Sequence, residues 1–226
     1  MFAGLKIKSQ LCWRALLAKD ATLKAYQQAL LDTMDKPLNE AELLAIDLEM
    51  TGLNAHFDQI LSIGLVPIRQ GQLVLKEAQH KLVQIEGSVG QSATIHGILD
   101  NHLDAALSPE QAMAWFLAET QGKVLVAHHA PLDLAFLQTG IQAYLGEKTQ
   151  LLAIDTLLLE KRRLLRQHEH LQEGSLRLGK SRARYGLPVY AAHNALIDAL
   201  ACGELLLAQI AAMGGMDSVK LTELLG

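Results

Sequence analysis

Two carboxylates separated by one residue are the first feature of the sequence that could do chemistry. Four apolar residues lead into Asp47, Leu48 separates it from Glu49, and Thr51-Gly52 follows. A short apolar run with a glycine just beyond it indicates a buried strand, on which Asp47 and Glu49 would point to the same face. Neighbouring carboxylates repel each other unless a proton or a cation lies between them, and a hard metal ion with oxygen ligands fits best. On these residues alone, a solvent-facing stripe on an edge strand is an equal alternative.

Two acids farther along the chain stand at positions that could bring them to the same place. Asp133 follows a short apolar stretch and a histidine-containing turn, in the first turn of a predicted helix. The helix dipole stabilises a carboxylate there without any further role, but sites in open α/β sheets also gather where strands end and helices begin. Asp198 is a lone acid in an apolar helical stretch, so it is either the exposed position of that helix or directed inward at a partner.

A histidine, His193, precedes Asp198 by five residues. At about 100° per residue the two side chains would not share a helix face, so we place His193 in the loop before the helix, free to reach over the site. Histidine is the side chain that most readily exchanges a proton near neutral pH, which suits a general base. A lone histidine in a loop is otherwise more often a surface residue.

The elements that must position these residues are strands and helices in a characteristic order. A meander followed by strand–helix alternation indicates an α/β protein with a mixed sheet flanked by helices, in which the first strand lies centrally. We divide the chain into a helical N-terminal extension (1–40), a main domain (41–213) and a short helical C-terminal tail (214–226). The predicted strands are 43–49, 59–68, 73–75, 82–85, 123–127 and 151–154, and the predicted helices are 9–34 with a break near 20–22, 108–120, 131–144, 156–170 and 194–213.

Composition narrows the class of protein. Half of the 226 residues are hydrophobic, which suits one α/β domain with an appendage. No apolar run reaches about 18 residues, so we expect no membrane span. Met1–Lys8 lacks the hydrophobic stretch and cleavage site of a signal peptide. The two cysteines, Cys12 and Cys202, favour neither a disulfide framework nor a zinc site, so we expect a cytoplasmic protein.

Charge is distributed unevenly along the chain. The net charge is −4, but residues 161–184 contain eight Lys and Arg and only two Glu. That segment therefore carries +6 and the remainder −10. A basic segment beside an acidic site could guide a polyanion toward bound metal ions, whereas the alternative is an ordinary solvated helix face.

In combination, these acids and the histidine resemble the three motifs of the DEDDh family of 3′→5′ exonucleases, which are related to the proofreading subunit of bacterial DNA polymerase III and to RNase T. The resemblance covers roughly residues 42–210. Its three principal motifs are Asp47-Leu-Glu49-Met-Thr51-Gly52-Leu53, the histidine-rich turn with Asp133, and His193-x4-Asp198. Secondary similarities are Asp58-Gln-Ile-Leu-Ser-Ile-Gly64, Ile95-His96-Gly97-Ile98 and Ile154-Asp155-Thr156.

The second motif departs from the family pattern at two positions. It usually reads His-Asn-Ala-x-Phe-Asp, but here His129 replaces the Asn and Leu132 replaces the Phe. Neither position is a metal ligand in the family. The departure therefore concerns substrate contacts and preference rather than the chemistry.

The resemblance implies a fold, a cofactor and a set of roles. The fold would be ribonuclease H-like, with a mixed five-stranded sheet flanked by helices and a helical N-terminal extension. Two Mg²⁺ or Mn²⁺ ions would be held by Asp47, Glu49, Asp133 and Asp198, with His193 as general base. The terminal nucleotide would contact Thr51, Gly52, Leu53, His96 and His129, although ordinary packing is an equal alternative for Leu53 and His96.

The function implied is a metal-dependent 3′→5′ exonuclease that acts on single-stranded 3′ ends and releases nucleoside 5′-monophosphates. DNA is slightly preferred over RNA as the expected substrate. Proofreading would require a polymerase or repair partner, and the helical extension and exposed sheet edges would suit a homodimer. The alternative is a non-catalytic nucleic-acid- or protein-binding module on the same fold, but all four acids and His193 are present.

Overall fold

The computed structural model describes residues 2–225, apart from the side chains of Phe2, Ala3 and Gln91. The outermost residues of the predicted extension and tail, Met1 and Gly226, lie outside this range. The strands are β1 (Leu43–Met50), β2 (Ile60–Arg69), β3 (Gln72–Leu73), β4 (Gln79–Leu82), β5 (Val124–Ala127) and β6 (Ala153–Asp155). The helices are α1 (Phe2–Leu17), α2 (Ala21–Thr33), α3 (Ala93–His96), α4 (Pro109–Thr120), α5 (Ala130–Leu145), α6 (Thr156–Leu165), α7 (Leu178–Ala183), α8 (Ala195–Ala212) and α9 (Leu221–Leu224).

The sheet is mixed, and β1 occupies its centre as predicted. The strand order is β3-β2-β1-β5-β6, with β4 also paired to β2. β1 runs antiparallel to β2 and parallel to β5, which in turn is parallel to β6. β3 and β4 pair with different parts of β2, at Ile68–Arg69 and at Ser62–Leu65, so six strands fill five positions across the sheet.

The edge of the sheet beyond β2 differs in detail from the sequence-based prediction. The strand predicted at 73–75 ends at Leu73, and a 3₁₀ turn at Leu75–Glu77 leads into β4. The strand predicted at 82–85 pairs instead over Gln79–Leu82. Edge strands bury little surface and gain their pairing from a distant strand, so their limits are weakly encoded in the local pattern.

The apolar lead-in of β1 is explained by burial on both faces. Leu43, Leu44, Ala45 and Ile46 are each at most 2% exposed. Central strands with parallel neighbours are covered on both faces and therefore consist of continuous apolar runs. Side chains of the N-terminal helices belong to the same core, including Tyr26 of α2.

The helix α8 lies directly against β1 and β2. By length and composition alone this 18-residue helix could cross a membrane, although half of it is buried inside the protein. Two glycines allow its close approach to the sheet. A Cβ atom on Gly64 of β2 would lie 2.5 Å from the backbone nitrogen of Leu196, and one on Gly203 would lie 2.8 Å from the side chain of Leu73. These contacts are those of a core helix.

The N-terminal helices pack against each other and bond to the segment that follows α5. The predicted break between them falls at Asp20, whose side chain accepts hydrogen bonds from the first backbone N–H groups of α2. Gln27 donates to the hydroxyl of Thr149 and to the carbonyl of Gln150, each at 2.9 Å. Glu147 accepts from the backbone N–H groups of Lys19 and Asp20. The extension is thus held by polar contacts as well as by the shared core.

Candidate active site

Three of the predicted carboxylates converge at the end of β1. Asp47 and Glu49 lie on the same side of that strand, and Asp198 lies in the first turn of α8. One carboxylate oxygen from each of the three lies within 4.8 Å of the others. Asn194 caps α8 by accepting hydrogen bonds from two backbone N–H groups, which fixes where the helix begins and hence where Asp198 is placed. Three oxygen donors this close together could bind one hard cation.

Asp133 approaches the same cluster from the first turn of α5, where it is only 5% exposed. Burial is the main reason why its pKa is raised to about 7, and the charges of Asp155 and Glu49 raise it further. The backbone N–H groups of Asp133 itself and of Leu48 act in the opposite direction. The influence of Leu48 agrees with a position of Asp133 near β1, where Leu48 lies between the two acids of the first motif.

The two acids of β1 also have raised pKa values. Burial raises the pKa of Asp47 well above its usual range, and the charges of Asp133, Asp198 and Glu49 add to this effect. Burial followed by the charge of Asp198 raises the pKa of Glu49 to about 7. None of the ion pairs formed within residues 2–225 involves these acids. The cluster therefore holds negative charge that the described side chains do not compensate, and its donors fit hard divalent cations.

His193 lies in the loop before α8, as the sequence predicts. Its backbone has a positive φ of 68°, and its N–H donates a 2.7 Å hydrogen bond to Oδ2 of Asp198. This bond holds the loop at the cluster while the imidazole is exposed to solvent. The backbone of His193 therefore lies at the acid cluster, and its side chain is open to solvent.

His96, at the end of α3, lies close to His193. Its pKa is lowered by burial and then by the charge of His193. Its Nδ1 atom accepts a hydrogen bond from the backbone N–H of Ile98, which leaves the proton on Nε2. That Nε2 atom is buried, and among the described residues it has no hydrogen-bond partner. A buried donor without a partner is costly, so His96 has an unused hydrogen bond to offer.

The loop that follows β1 is braced by Asp58. Its carboxylate accepts hydrogen bonds from the hydroxyl of Thr51 and the backbone N–H of Asn54. A Cβ atom on Gly52 would lie 2.5 Å from this carboxylate, so only glycine fits there. Leu53 is 76% exposed, which rules out a role in core packing.

The turn after β5 explains the departures from the second motif. His129 is exposed and adopts a left-handed backbone with φ of 74°, a conformation in which Asn and His are both enriched. Its N–H donates to Asp155 at 3.0 Å. The side chain can therefore differ from the family's Asn while the backbone keeps its path.

Some residues around the site were missed by sequence reasoning. His128 lies 2.8 Å from both the hydroxyl of Thr156 and the carbonyl of Leu176, and burial is the main reason why its pKa is lowered. It thereby links the turn after β5 to a distant segment, a relation with no local signal. Phe57 lies in the loop after β1 and is 84% exposed, and an exposed aromatic cannot be told from a core one by residue type.

Two other buried or partly buried carboxylates are surrounded by arginines. Glu160 of α6 is fully buried and accepts from Arg163 at 2.7 Å, from Arg184 at 3.2 Å and from the hydroxyl of Tyr185 at 2.9 Å. Glu204 of α8 accepts from the buried Arg182 at 2.7 Å and from the hydroxyl of Tyr190 at 2.9 Å. These acids have their counter-charges within the chain.

Comparison with known proteins identifies the class. A family model described as an exonuclease, RNase T, matches residues 44–206. The PolC-type DNA polymerases III of Thermotoga petrophila and Thermotoga maritima are each 30% identical over 191 residues, which is 84% of this chain. The chain spans only 13% of the length of those relatives. It belongs to the RNase T family of exonucleases, which confirms the resemblance to 3′→5′ exonucleases.

Solved structures agree on the fold. E. coli exonuclease I in complex with a dT13 oligonucleotide superposes with a TM-score of 0.64 over 77% of this chain and 42% of that one, at 14% identity. Exonuclease X in complex with 5′ overhanging duplex DNA gives a TM-score of 0.58 over 81% and 99%, at 20% identity. These similarities confirm the predicted ribonuclease H-like fold, a mixed sheet flanked by helices.

Proposed function

We propose that this protein hydrolyses phosphodiester bonds at the 3′ ends of single-stranded nucleic acid, with divalent metal ions, and releases nucleoside 5′-monophosphates. The observation that carries the proposal is the acid cluster. Its three oxygens lie within 4.8 Å of one another, and the pKa values of Asp47 and Glu49 are raised by burial and then by the charges of the neighbouring acids. A cluster of this kind is stabilised by cations from solution.

Two Mg²⁺ or Mn²⁺ ions would be held by Asp47, Glu49, Asp133 and Asp198. Asp47 lies among the other three acids, whose charges all raise its pKa, so it is central to the set that would hold the ions. When bound, such ions make water a stronger nucleophile and stabilise the charge on the attacking and leaving oxygens. The acids' part is to fix the positions of these charges before substrate arrives.

His193 would act as the general base. Its side chain is exposed, and the bond from its backbone N–H to Asp198 fixes the loop that carries it at the acid cluster. An imidazole there would take the proton of the attacking water. His96, whose pKa responds to the charge of His193, would lie near the substrate end.

The terminal nucleotide would lie against the loop after β1 and the turn after β5. Thr51, Gly52 and the exposed Leu53 belong to the first, and the exposed His129 belongs to the second. We give DNA a slight preference over RNA as substrate. This is supported by the polymerase relatives and by the DNA in the complexes of structurally similar proteins.

The setting of the activity is part of the proposal. Residues 41–213 would form the exonuclease domain, which includes the matched range 44–206, with 1–40 and 214–226 packed on it. Both cysteines are free, which suits a cytoplasmic protein. A polymerase or repair protein would be the partner if the activity is proofreading, and α1 carries the exposed apolar residues Trp13, Leu16 and Leu17 that a homodimer would cover.

The test is digestion of 5′-labelled single-stranded DNA and of matched RNA by wild type and Asp47→Asn, with Mg²⁺, Mn²⁺ or a chelator. The expected result is a ladder that shortens from the 3′ end, requires metal and is absent for the variant. Tight binding of both oligonucleotides without any product would instead support the non-catalytic binding module.

A further inference from the structure

The basic segment 161–184 contains cations of two kinds. Arg163, Arg182 and Arg184 form the ion pairs with Glu160 and Glu204 and are therefore part of the fold. The other five cations are exposed and form no ion pair with the described residues. We call these five the basic strip; they are Lys161, Arg162, Arg166, Arg177 and Lys180.

The basic strip extends outward from the candidate active site. α6 begins at Asp155, whose carboxylate also accepts from the backbone of His129 beside the site. Its ten residues run away from that edge for roughly 15 Å. Arg162 and Arg166, four residues apart, therefore lie on one side of its far end.

The chain then returns to the site. The carbonyl of Leu176 lies 2.8 Å from Nε2 of His128, in the turn that precedes Asp133. Arg177 follows directly. The strip therefore has one cation next to the turn after β5 and others farther out.

Buried ion pairs hold this segment in a fixed position. Arg184 bonds to Glu160 at 3.2 Å and to the carbonyl of Ser175 at 2.7 Å. Arg182 bonds to Glu204 of α8 and to the carbonyl of Pro188. Exposed cations on such a fixed segment lose less conformational entropy when they bind a ligand than cations on a free loop would.

We propose that the basic strip binds the phosphate backbone of the nucleic-acid strand that leads away from the 3′ terminus in the active site. This inference rests on the proposed function. A polyanion is the fitting ligand, because the five exposed cations lie in a segment, 161–184, that carries +6, whereas the rest of the chain carries −10. Three of its five members are arginines, whose planar guanidinium groups match phosphate.

Two substrates separate this inference from the proposed function. The first is the p-nitrophenyl ester of thymidine 5′-monophosphate, which reaches only the acid cluster. The second is a single-stranded 20-mer, which is long enough to reach the strip. The variant combines Arg162→Gln, Arg166→Gln and Arg177→Gln, which remove charge and keep most of each side chain. Its matched control combines Lys24→Gln, Lys36→Gln and Lys220→Gln, exposed cations outside the segment.

The strip variant should lose about tenfold or more in kcat/KM on the 20-mer relative to the ester, mainly through KM. The salt dependence of log(kcat/KM) on the 20-mer should become shallower by about two, because each single-strand phosphate contact contributes about 0.7. The control variant should behave as wild type on both substrates. Equal losses for the strip variant and the control would overturn the inference.

Binding without turnover provides the second readout. Fluorescence anisotropy of a labelled 20-mer without divalent metal should give a Kd for the strip variant at least about fivefold weaker than for the control. If wild type cleaves neither substrate but the strip variant still loses binding, the result refutes the proposed function and supports nucleic-acid binding by the strip. If wild type cleaves both substrates and the strip variant binds as the control does, the result refutes binding by the strip and supports the proposed function.

Discussion

Two groups of buried carboxylates in this protein have opposite electrostatic environments. Burial alone would raise the pKa of Glu160, but hydrogen bonds from Arg163 and Tyr185 and the charges of Arg163 and Arg184 lower it instead. At the end of β1, burial raises the pKa of Asp47, and every nearby charge that acts on it raises it further. A buried carboxylate thus has cationic partners within the chain in one place, whereas in the other its neighbours are further carboxylates.

The difference indicates which acids serve the fold and which serve a ligand. A buried carboxylate paired with arginine contributes to stability through bonds that are complete before anything binds. A buried carboxylate among other carboxylates destabilises the empty protein, so its presence needs another reason.

Removing one charge from the acid cluster should abolish turnover and stabilise the metal-free protein. We expect Asp47→Asn to lower kcat/KM by about a thousandfold or more, because the position of the metal ions is lost. The melting temperature of the metal-free protein at pH 8 should rise, because a buried like-charge contact is removed. Exonuclease assays and thermal melts measure the two effects. Asp104→Asn, an exposed acid, is the control, and a lower metal-free melting temperature for Asp47→Asn would contradict the contrast.

Replacing the histidine should separate catalysis from metal binding. We expect His193→Ala to reduce kcat by about a hundredfold to ten-thousandfold, the range of general-base catalysis. Stabilisation by Mn²⁺ should persist, because Asp198 is bonded by the backbone N–H of His193 and not by its side chain. Single-turnover kinetics and melts with Mn²⁺ are the measurements. Unchanged turnover would remove His193 from the role of base.

Removing the charge of Glu160, which is paired with arginines, should lower stability and leave metal binding unchanged. Glu160→Gln leaves two arginines without their buried partner, so we expect a loss of about 3 kcal/mol in the free energy of unfolding. The stabilisation by Mn²⁺ should be unaffected. Urea unfolding with and without metal measures both, with the exposed Glu173→Gln as control. A destabilisation no larger than that of the control would mean that the ion pairs around Glu160 add nothing to stability.

Stability should depend on pH in the metal-free protein and much less when metal is bound. The pKa values of Glu49 and Asp133 are raised to about 7 in the folded state, so the folded state holds more protons than the unfolded state between about pH 4 and 7. Stability should therefore fall as pH rises through that window, by several kcal/mol, and stay low above it. Urea unfolding at pH 5, 6, 7 and 8 is the measurement. A metal-free protein that becomes more stable from pH 5 to 8 would refute the assignment of raised pKa values.

Local sequence patterns predicted the parts of the fold that local physics determines. The apolar lead-in to Asp47 and the break between helices near Asp20 are encoded within a few residues. The short strands β3 and β4 shifted from the predicted positions, because their pairing depends on β2.

The candidate site was predictable for a different reason. The order and spacing of its acids match a family pattern, whereas their raised pKa values arise from contacts between distant segments. No comparable pattern in the sequence predicts the contacts of His128 and Glu160. Each is defined by partners that approach only in the folded chain, Leu176 in one case and Arg184 in the other.

The glycine at position 64 sets how closely the helix that carries Asp198 approaches the sheet beside Asp47. Gly64 pairs with Asp47 across the sheet, and the backbone of α8 rests on it where a Cβ atom would collide. At this point no side chain lies between the backbone of Gly64 and the helix that carries Asp198, so the helix approaches the sheet closely beside Asp47. A methyl group there would lift the helix and widen the gap between ligand oxygens, and Mg²⁺ requires shorter oxygen distances than Ca²⁺. We expect isothermal titration of Gly64→Ala with both ions to show a relative affinity that shifts toward Ca²⁺, because the added methyl group would increase the distance between the ligand oxygens.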